Sequence, residues 1–406
     1  MKGSKQTQSS WWQEVSTWLL GTAASVEQAV DSGWRRLGER LGLNQPVHIQ
    51  VYHGFANPKQ AWVSGRVLAN KPAGGPKDDD TWWDNLLNTY RRWESDEVPG
   101  AWVEAVFAGQ TLTAKTDEEG YYHLKFSLAK PLEGELWHPV QVRLLEPSTA
   151  KETERLGECR TTARGLTATG KVLVPPAAAR FGVISDLDDT VIQTHITDLL
   201  TAAKLTFLHN AKTRKPLAGV AELYQALHLG PQGSASPDHN PIFYVSSSPW
   251  NLYDLLVDFL ELNAIPAGPL LLRDLGISEQ QFISGGHNHK LESVNRILTA
   301  YPTLPFVLIG DSGQEDAQLY WSVIQQHGSR IKAVYIRDVD PLRPSERDEQ
   351  VRVIAKQAET IGVPMRLVTD SVMAAQHAAG LGLIASQAIV VVGQECEQDL
   401  QRKSMA

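Results

Sequence analysis

Cysteine is scarce in this 406-residue chain, which has only Cys159 and Cys396. Two thiols so far apart exclude a disulfide framework, argue against a thiolate metal site and fit a reducing compartment. No run of about 18 apolar residues occurs, so no transmembrane helix is expected. The first residues lack a continuous apolar stretch and a cleavage signal, so the expected location is cytoplasmic. Basic residues are not in excess either. A net charge of −8 leaves nothing to neutralise a phosphate backbone, which argues against a nucleic-acid partner. Internal repeats are also absent. What remains is an ordinary globular composition, 42% hydrophobic and 21% charged, long enough for two or three domains. Tryptophan is the exception, with twelve copies, most of them before residue 140.

Those tryptophans begin in an N-terminal segment, residues 1–46. Trp12, Val15, Leu19, Ala23, Val26, Val30, Trp34, Leu37 and Leu41 recur at steps of three and four, as on one face of an amphipathic helix. The helix either packs on its own protein or lies in a membrane interface, where tryptophan suits the headgroup zone. Its polar face mixes Glu14, Glu27, Asp31 and Glu39 with Arg35, Arg36 and Arg40 and falls short of basic character.

Residues 47–176 contain short apolar or β-branched runs at 47–52, 61–68, 102–107, 110–115, 121–127, 138–145 and 171–174. Close spacing and intervening turn residues predict a small β-sandwich of transthyretin-like or immunoglobulin-like type. Thr-Asp-Glu-Glu-Gly at 116–120 is expected to connect a hairpin, with Gly120 free to take a positive φ. A helical insertion near 78–94 carries Trp82, Trp83, Leu86, Leu87, Tyr90 and Trp93 at helical spacing. It either covers a sandwich face or meets a lipid surface or partner.

From 177 to 394 the pattern changes to α/β. Strand candidates at 181–185, 242–245, 270–272, 306–309, 333–336 and 365–368 alternate with helix candidates at 250–262, 290–299, 316–327 and 371–381. Alternation predicts a largely parallel sheet covered on both faces, with ligands beyond the carboxyl ends of its strands. The stretch 192–240, with one helix at 218–229, leaves room for a small helical cap. Such a cap leaves a site open to bulky or membrane-presented substrates. Residues 395–406 read as a loose polar tail.

The chemistry gathers at the strand ends. Phe-Gly-Val-Ile-Ser-Asp-Leu-Asp-Asp-Thr at 181–190 delivers Asp186 and Asp188 to the edge of a buried strand, pointing the same way if the extended backbone continues. Two carboxylates about 4 Å apart repel by roughly 4 kcal/mol at an effective dielectric near 20, tolerable when solvated or when holding a cation. Ser246, Ser247 and Ser248 follow the second strand, with Pro249 opening a helix. Lys290 follows Gly-Gly-His-Asn-His at the start of another helix, and Gly-Asp-Ser-Gly-Gln-Glu-Asp at 310–316 follows a fourth strand. A nucleophile with a neighbouring acid, hydroxyl donors, a cation and further carboxylates are the parts that phosphoryl transfer requires. Each has a plainer alternative. Lys290 could start a solvated helix face, Ser247 or Ser248 could cap a helix, and Asp316 could position Lys290. Arg273 and Arg337 could grip an anionic group or pair with Asp274 or Asp338. His287 and His289 lack a convincing third ligand for zinc.

In order, these segments resemble the four motifs of the haloacid dehalogenase superfamily. More narrowly, Ser-Asp-Leu-Asp-Asp-Thr-Val-Ile, Tyr-Val-Ser-Ser-Ser-Pro-Trp, Leu-Arg-Asp-Leu-Gly, His-Lys-Leu-Glu, Leu-Ile-Gly-Asp-Ser-Gly-Gln-Glu-Asp and Tyr-Ile-Arg-Asp-Val resemble the catalytic domain of actin-patch-protein-type phosphatidate phosphatases. Asp189 stands where lipin-type phosphatases carry glycine, which supports the narrower resemblance. The resemblance implies a Rossmannoid parallel sheet with a small cap and Mg²⁺-dependent hydrolysis of a phosphomonoester. Asp186 would be the nucleophile and Asp188 the acid and base, with Ser246 and Lys290 holding the phosphoryl charge. Thr190, Ser247, Arg273 and Arg337 would contact substrate. Asp186, Asp188, Asp311 and Asp316 would surround the metal. The substrate it implies is a lipid reached by peripheral contact with the inner membrane face. A soluble or protein-bound phosphomonoester is the alternative, and a non-catalytic scaffold is a third reading.

Overall fold

Apolar runs that end abruptly in polar residues set the positions of the strands in the computed structural model. It describes residues 47–69, 96–145, 166–188, 190–191, 217–235, 239–273, 279–343 and 345–404. The helix expected within 1–46, the insertion near 78–94, Asp189, Asp274 and most of the expected cap lie outside the described residues.

Among the described residues, nine strands precede residue 176: β1 (Val47–Val51), β2 (Gly54–Ala56), β3 (Gln60–Ala69), β4 (Asp96–Glu97), β5 (Trp102–Phe107), β6 (Gln110–Lys115), β7 (Tyr121–Ser127), β8 (Trp137–Leu144) and β9 (Thr167–Leu173). They hydrogen-bond into one sheet, ordered β1-β3-β2-β9-β8-β5-β6, with β4 and β7 also pairing with β3. The expected hairpin across 116–120 does not form. The turn forms, with Gly120 at φ +79° and the Asp117 side chain accepting from the amides of Glu119 and Tyr121. Yet β6 pairs with β5, whereas β7 pairs with β3 from Gln60↔Ser127 to Arg66↔Tyr121. The alternating burial of β7, with Tyr122, Leu124 and Phe126 inside, sets which of its faces meets the core.

The second half alternates as expected: β10 (Gly182–Asp186), α1 (Val220–Leu229), β11 (Ile242–Pro249), α2 (Tyr253–Leu262), β12 (Leu270–Arg273), α3 (Glu279–Ala300), β13 (Phe306–Asp311), α4 (Asp316–His327), β14 (Ile331–Arg337), α5 (Glu346–Thr360), β15 (Met365–Val368), α6 (Ser371–Gly380) and α7 (Ala388–Ser404). All pairs in the six-stranded sheet β12-β11-β10-β13-β14-β15 are parallel. Both faces are buried. Val183, Ile309 and Tyr335 pack with residues of α1 and α6 on one face, and Ile184, Leu308 and Val334 with α3 and α4 on the other. Such two-sided burial requires the near-continuous apolar strands seen in the sequence.

Three differences from the sequence reading have local causes. Residues 395–404 of the expected loose tail belong to α7, because Val392 and Cys396 bury against the core and Asp399 accepts from the Gly219 amide. The unread helix α5 starts with a reciprocal capping box between Ser345 and Asp348, a spacing present in the sequence. Helix α3 begins well before Lys290, which therefore lies inside a helix and not at its start. The first sheet also joins the second half through packing, with Phe55 against Phe243 and Tyr301.

Candidate active site

The parallel register sets the site. Asp186, the last residue of β10, lies level with Val245 of β11, so Ser246 comes next on the adjacent strand. Because β10 ends at Asp186, strand alternation does not extend to Asp188, and the two carboxylates meet different partners. Asp186 is 1% exposed. Its Oδ1 lies 2.6 Å from Lys290 Nζ, an ion pair not aligned as a hydrogen bond. Its Oδ2 accepts from Thr190 Oγ1 at 3.4 Å. Asp188 accepts from Ser246 Oγ at 2.7 Å and from Ser248 Oγ at 3.3 Å.

Lys290 reaches these groups from α3 and is itself buried. Its ammonium donates to Gln314 Oε1 at 3.0 Å and Asp316 Oδ1 at 3.1 Å. Asp316 opens α4, and its second oxygen accepts from the Asp311 amide at 3.1 Å, tying the end of β13 to the lysine. The turn between them closes through Gln314 N donating to Asp311 Oδ1 at 2.8 Å. Gly310 makes this possible, since a Cβ there would lie 2.6 Å from Asp316 Oδ2.

Burial pushes the Asp186 carboxyl well above its ordinary range. Lys290 opposes that push, whereas Asp316, Asp311 and Asp188 add to it. Burial alone would favour a neutral Lys290, but Asp186, Asp316 and Asp311 outweigh it and hold the ammonium protonated. Carboxylate oxygens of Asp186, Asp311 and Asp316 lie within 4.8 Å of one another, and all three residues are buried. Among the described residues, this is the group of three able to hold a metal ion. Its donors are carboxylates, in contrast to the histidines weighed for zinc.

The other expected residues are placed as follows. Ser247 is half-buried within β11. The serines belong to a strand that runs to Pro249, followed by a short turn at Trp250–Leu252 without side-chain capping. The helix-cap reading of Ser247 and Ser248 is therefore corrected. Arg273 ends β12, in register with Pro249, and burial lowers its pKa. Arg337 ends β14 beside Asp311, and its Nη1 donates to Ser371 Oγ at 3.4 Å. The sequence reading missed Gln314 and Tyr224. Tyr224 Oη lies 2.5 Å from Ser185 Oγ, which donates to the Asp186 carbonyl at 2.6 Å. Gln314 could have been found from its place in the polar run 310–316. Tyr224 carries no local signal.

Residues 181–338 match the family described as "Phosphatidate phosphatase APP1, catalytic domain". A Saccharomyces cerevisiae protein named "Phosphatidate phosphatase APP1" is 30% identical over 200 residues, covering 47% of this chain and 32% of that protein. An uncharacterized protein of Schizosaccharomyces pombe is 27% identical over 158 residues, covering 39% of this chain and 25% of that one. The chain thus spans less than a third of the length of either relative. Among solved structures, a carbohydrate acetylesterase from Xanthomonas citri aligns at a TM-score of 0.25 and 11% identity, over 75% of this chain and 72% of that one. That likeness is too low to bear on the fold. The resemblance to phosphatidate phosphatases of this type rests on the segment that carries Asp186, Asp188, Ser246, Lys290 and Asp311.

Proposed function

We propose that the protein is a Mg²⁺-dependent phosphatidate phosphatase working through an aspartyl-phosphate. The observation that carries this reading is the pairing of Asp186 with Lys290 beside an Asp188 that faces two hydroxyls. The two carboxylates stand in separate environments, as a nucleophile and a proton carrier must. Asp186, whose ionised form Lys290 favours against the opposing push of burial, attacks phosphorus, and the bond to the leaving alkoxide breaks as the acyl phosphate forms. Asp188 gives its proton to that alkoxide. It then takes a proton from the water that cleaves the acyl phosphate, which restores Asp186 and releases phosphate. Ser246 exchanges its acceptor on Asp188 for a phosphoryl oxygen, and Lys290 stabilises the same charge.

The donor set suits a hard divalent cation. Carboxylates of Asp186, Asp311 and Asp316 surround one ammonium, and Asp188 adds its charge beside Asp186, leaving excess negative charge on oxygen ligands, which Mg²⁺ prefers. Asp186, the Asp188 carbonyl and Asp311 would hold it. Asp316, with both oxygens accepting from Lys290 and the Asp311 amide, positions those ligands. When bound, the metal supplies charge neutralisation and a template for the phosphoryl group. Thr190 orients Asp186, while Ser247, Arg273 and Arg337 lie at strand ends suited to an anionic headgroup.

The finer architecture belongs to the same proposal: an N-terminal helix at 1–46, a sandwich at 47–176 and a haloacid-dehalogenase-like domain from 177 with a small cap. A lipid substrate implies a cytoplasmic protein in peripheral contact with the inner membrane face. No described helix is long and apolar enough to cross a membrane. The test is phosphate release from phosphatidate in mixed micelles beside soluble phosphomonoesters, with Mg²⁺ or EDTA. Turnover of phosphatidate that EDTA abolishes is expected. Brisk hydrolysis of sugar phosphates without lipid turnover would instead support the soluble-substrate alternative.

A further inference from the structure

The strand end that carries Ser246 and Ser248 crosses an irregularity in its ladder, which resumes at Pro249↔Arg273. The register of β11 against β12 shifts between Val245 and Pro249, so regular pairing does not define the three serines. Their placement rests on Ser248 N donating to Ser246 Oγ at 2.9 Å, on Asp188, and on the turn Trp250–Leu252 that follows.

The first sheet grips that turn. Arg66 of β3 is 4% exposed and satisfies three groups of its own sheet. Nε donates to the Glu119 carbonyl at 2.7 Å, Nη2 pairs with Glu97 Oε1 at 2.7 Å, and the guanidinium lies 4.5 Å from the Tyr121 ring centre. Its remaining edge crosses to the other sheet, where Nη1 donates to Asn251 Oδ1 at 2.9 Å. Beside it, Trp250 stacks on Tyr52 at 4.3 Å. A planar guanidinium committed on its other edges cannot follow a moving partner, so it imposes a position on Asn251.

We propose that Arg66 is a positioning residue for Ser246 and Ser248, acting through Asn251, so that the first sheet sets where the hydroxyl donors of the site stand. The value of that placement rests on the phosphoryl-transfer reading; the mechanical coupling does not. Misplacement of reacting groups by about 1 Å can cost on the order of a hundredfold in rate, so a coupling this close to the serines should be visible in kcat.

The test uses full-length wild type, Arg66→Lys, Asn251→Ala and the double variant. Hydrogen exchange over residues 246–252 is measured together with kcat and KM on phosphatidate in mixed micelles. In each single variant, exchange in that stretch should quicken about tenfold and kcat should fall roughly ten- to a hundredfold with KM nearly constant. The double variant should lose no more than either single one. Exchange at β10 and β13 should be unchanged. Unaltered exchange over 246–252, loosening of the whole protein, or additive losses would overturn the proposal. If Arg66→Lys fails to fold, Asn251→Ala decides alone, because it leaves the other contacts of Arg66 intact. A wild type that turns over no phosphomonoester defeats the functional reading, while exchange still decides the coupling.

Discussion

At the residue scale the site depends on a few atoms with no room to move. The hydrogen of Gly310 faces Asp316 Oδ2, and that carboxylate holds both Lys290 and the Asp311 amide. Gly310→Ala should displace Asp316, cost about 1–3 kcal/mol of stability through overpacking and lower kcat at least tenfold. Unfolding curves and steady-state rates check both; full activity would remove Asp316 from the machinery. Asp186, Ser246 and Asp311 were legible as the polar ends of apolar strands, because a parallel sheet brings such ends to one edge. Asp188 was legible too, although its partners were not. Gln314 and Tyr224 were hidden, since their contacts with Lys290 and Ser185 depend on packing between distant segments. The same holds for Arg66 and Asn251, separated by 185 positions.

At the element scale, α1 joins β11 through a histidine with a defined pH response. His228 Nδ1 bonds to the Asn240 carbonyl at 2.8 Å, and its ring lies 4.6 Å from that of His239. Burial lowers its pKa to about 4, with His239 pushing the same way and the carbonyl bond opposing. An unfolded chain takes up this proton near pH 6.5, so the folded state holds its full advantage above that pH. It loses up to about 3 kcal/mol as the pH falls from 6.5 to 4. Urea midpoints of wild type and His228→Asn should therefore converge as the solution is acidified through that window. Parallel curves would show that the ring titrates normally. Helix α1 was readable from its periodicity, and α5 should have been, since Ser345 and Asp348 stand at capping-box spacing. The union of β7 with β3 was not readable, because a strand's period specifies its faces and says nothing of its neighbour.

At the scale of the whole molecule, the two sheets share apolar contacts. Phe55 of β2 lies with Phe243, Tyr301 and Leu173 in one buried cluster that also holds the helices behind the parallel sheet. Phe55→Ala should cost about 3–5 kcal/mol. Residues 48–406 should unfold in one cooperative step when followed by Trp137 and Trp321 fluorescence in turn; two separated transitions would contradict a shared core. The change from strand-rich to alternating pattern near residue 177 was plain in the sequence, whereas this joining was not, because no local pattern encodes which faces of two sheets meet. The account stands or falls on the carboxylate at the end of β10. The most direct measurement is acid quenching of a single turnover with ³²P-labelled phosphatidate, followed by mapping of the label. The label should reside on Asp186, accumulate in Asp188→Asn and vanish in Asp186→Asn along with turnover. Phosphate released without label on Asp186, or at an undiminished rate in Asp186→Asn, would contradict it.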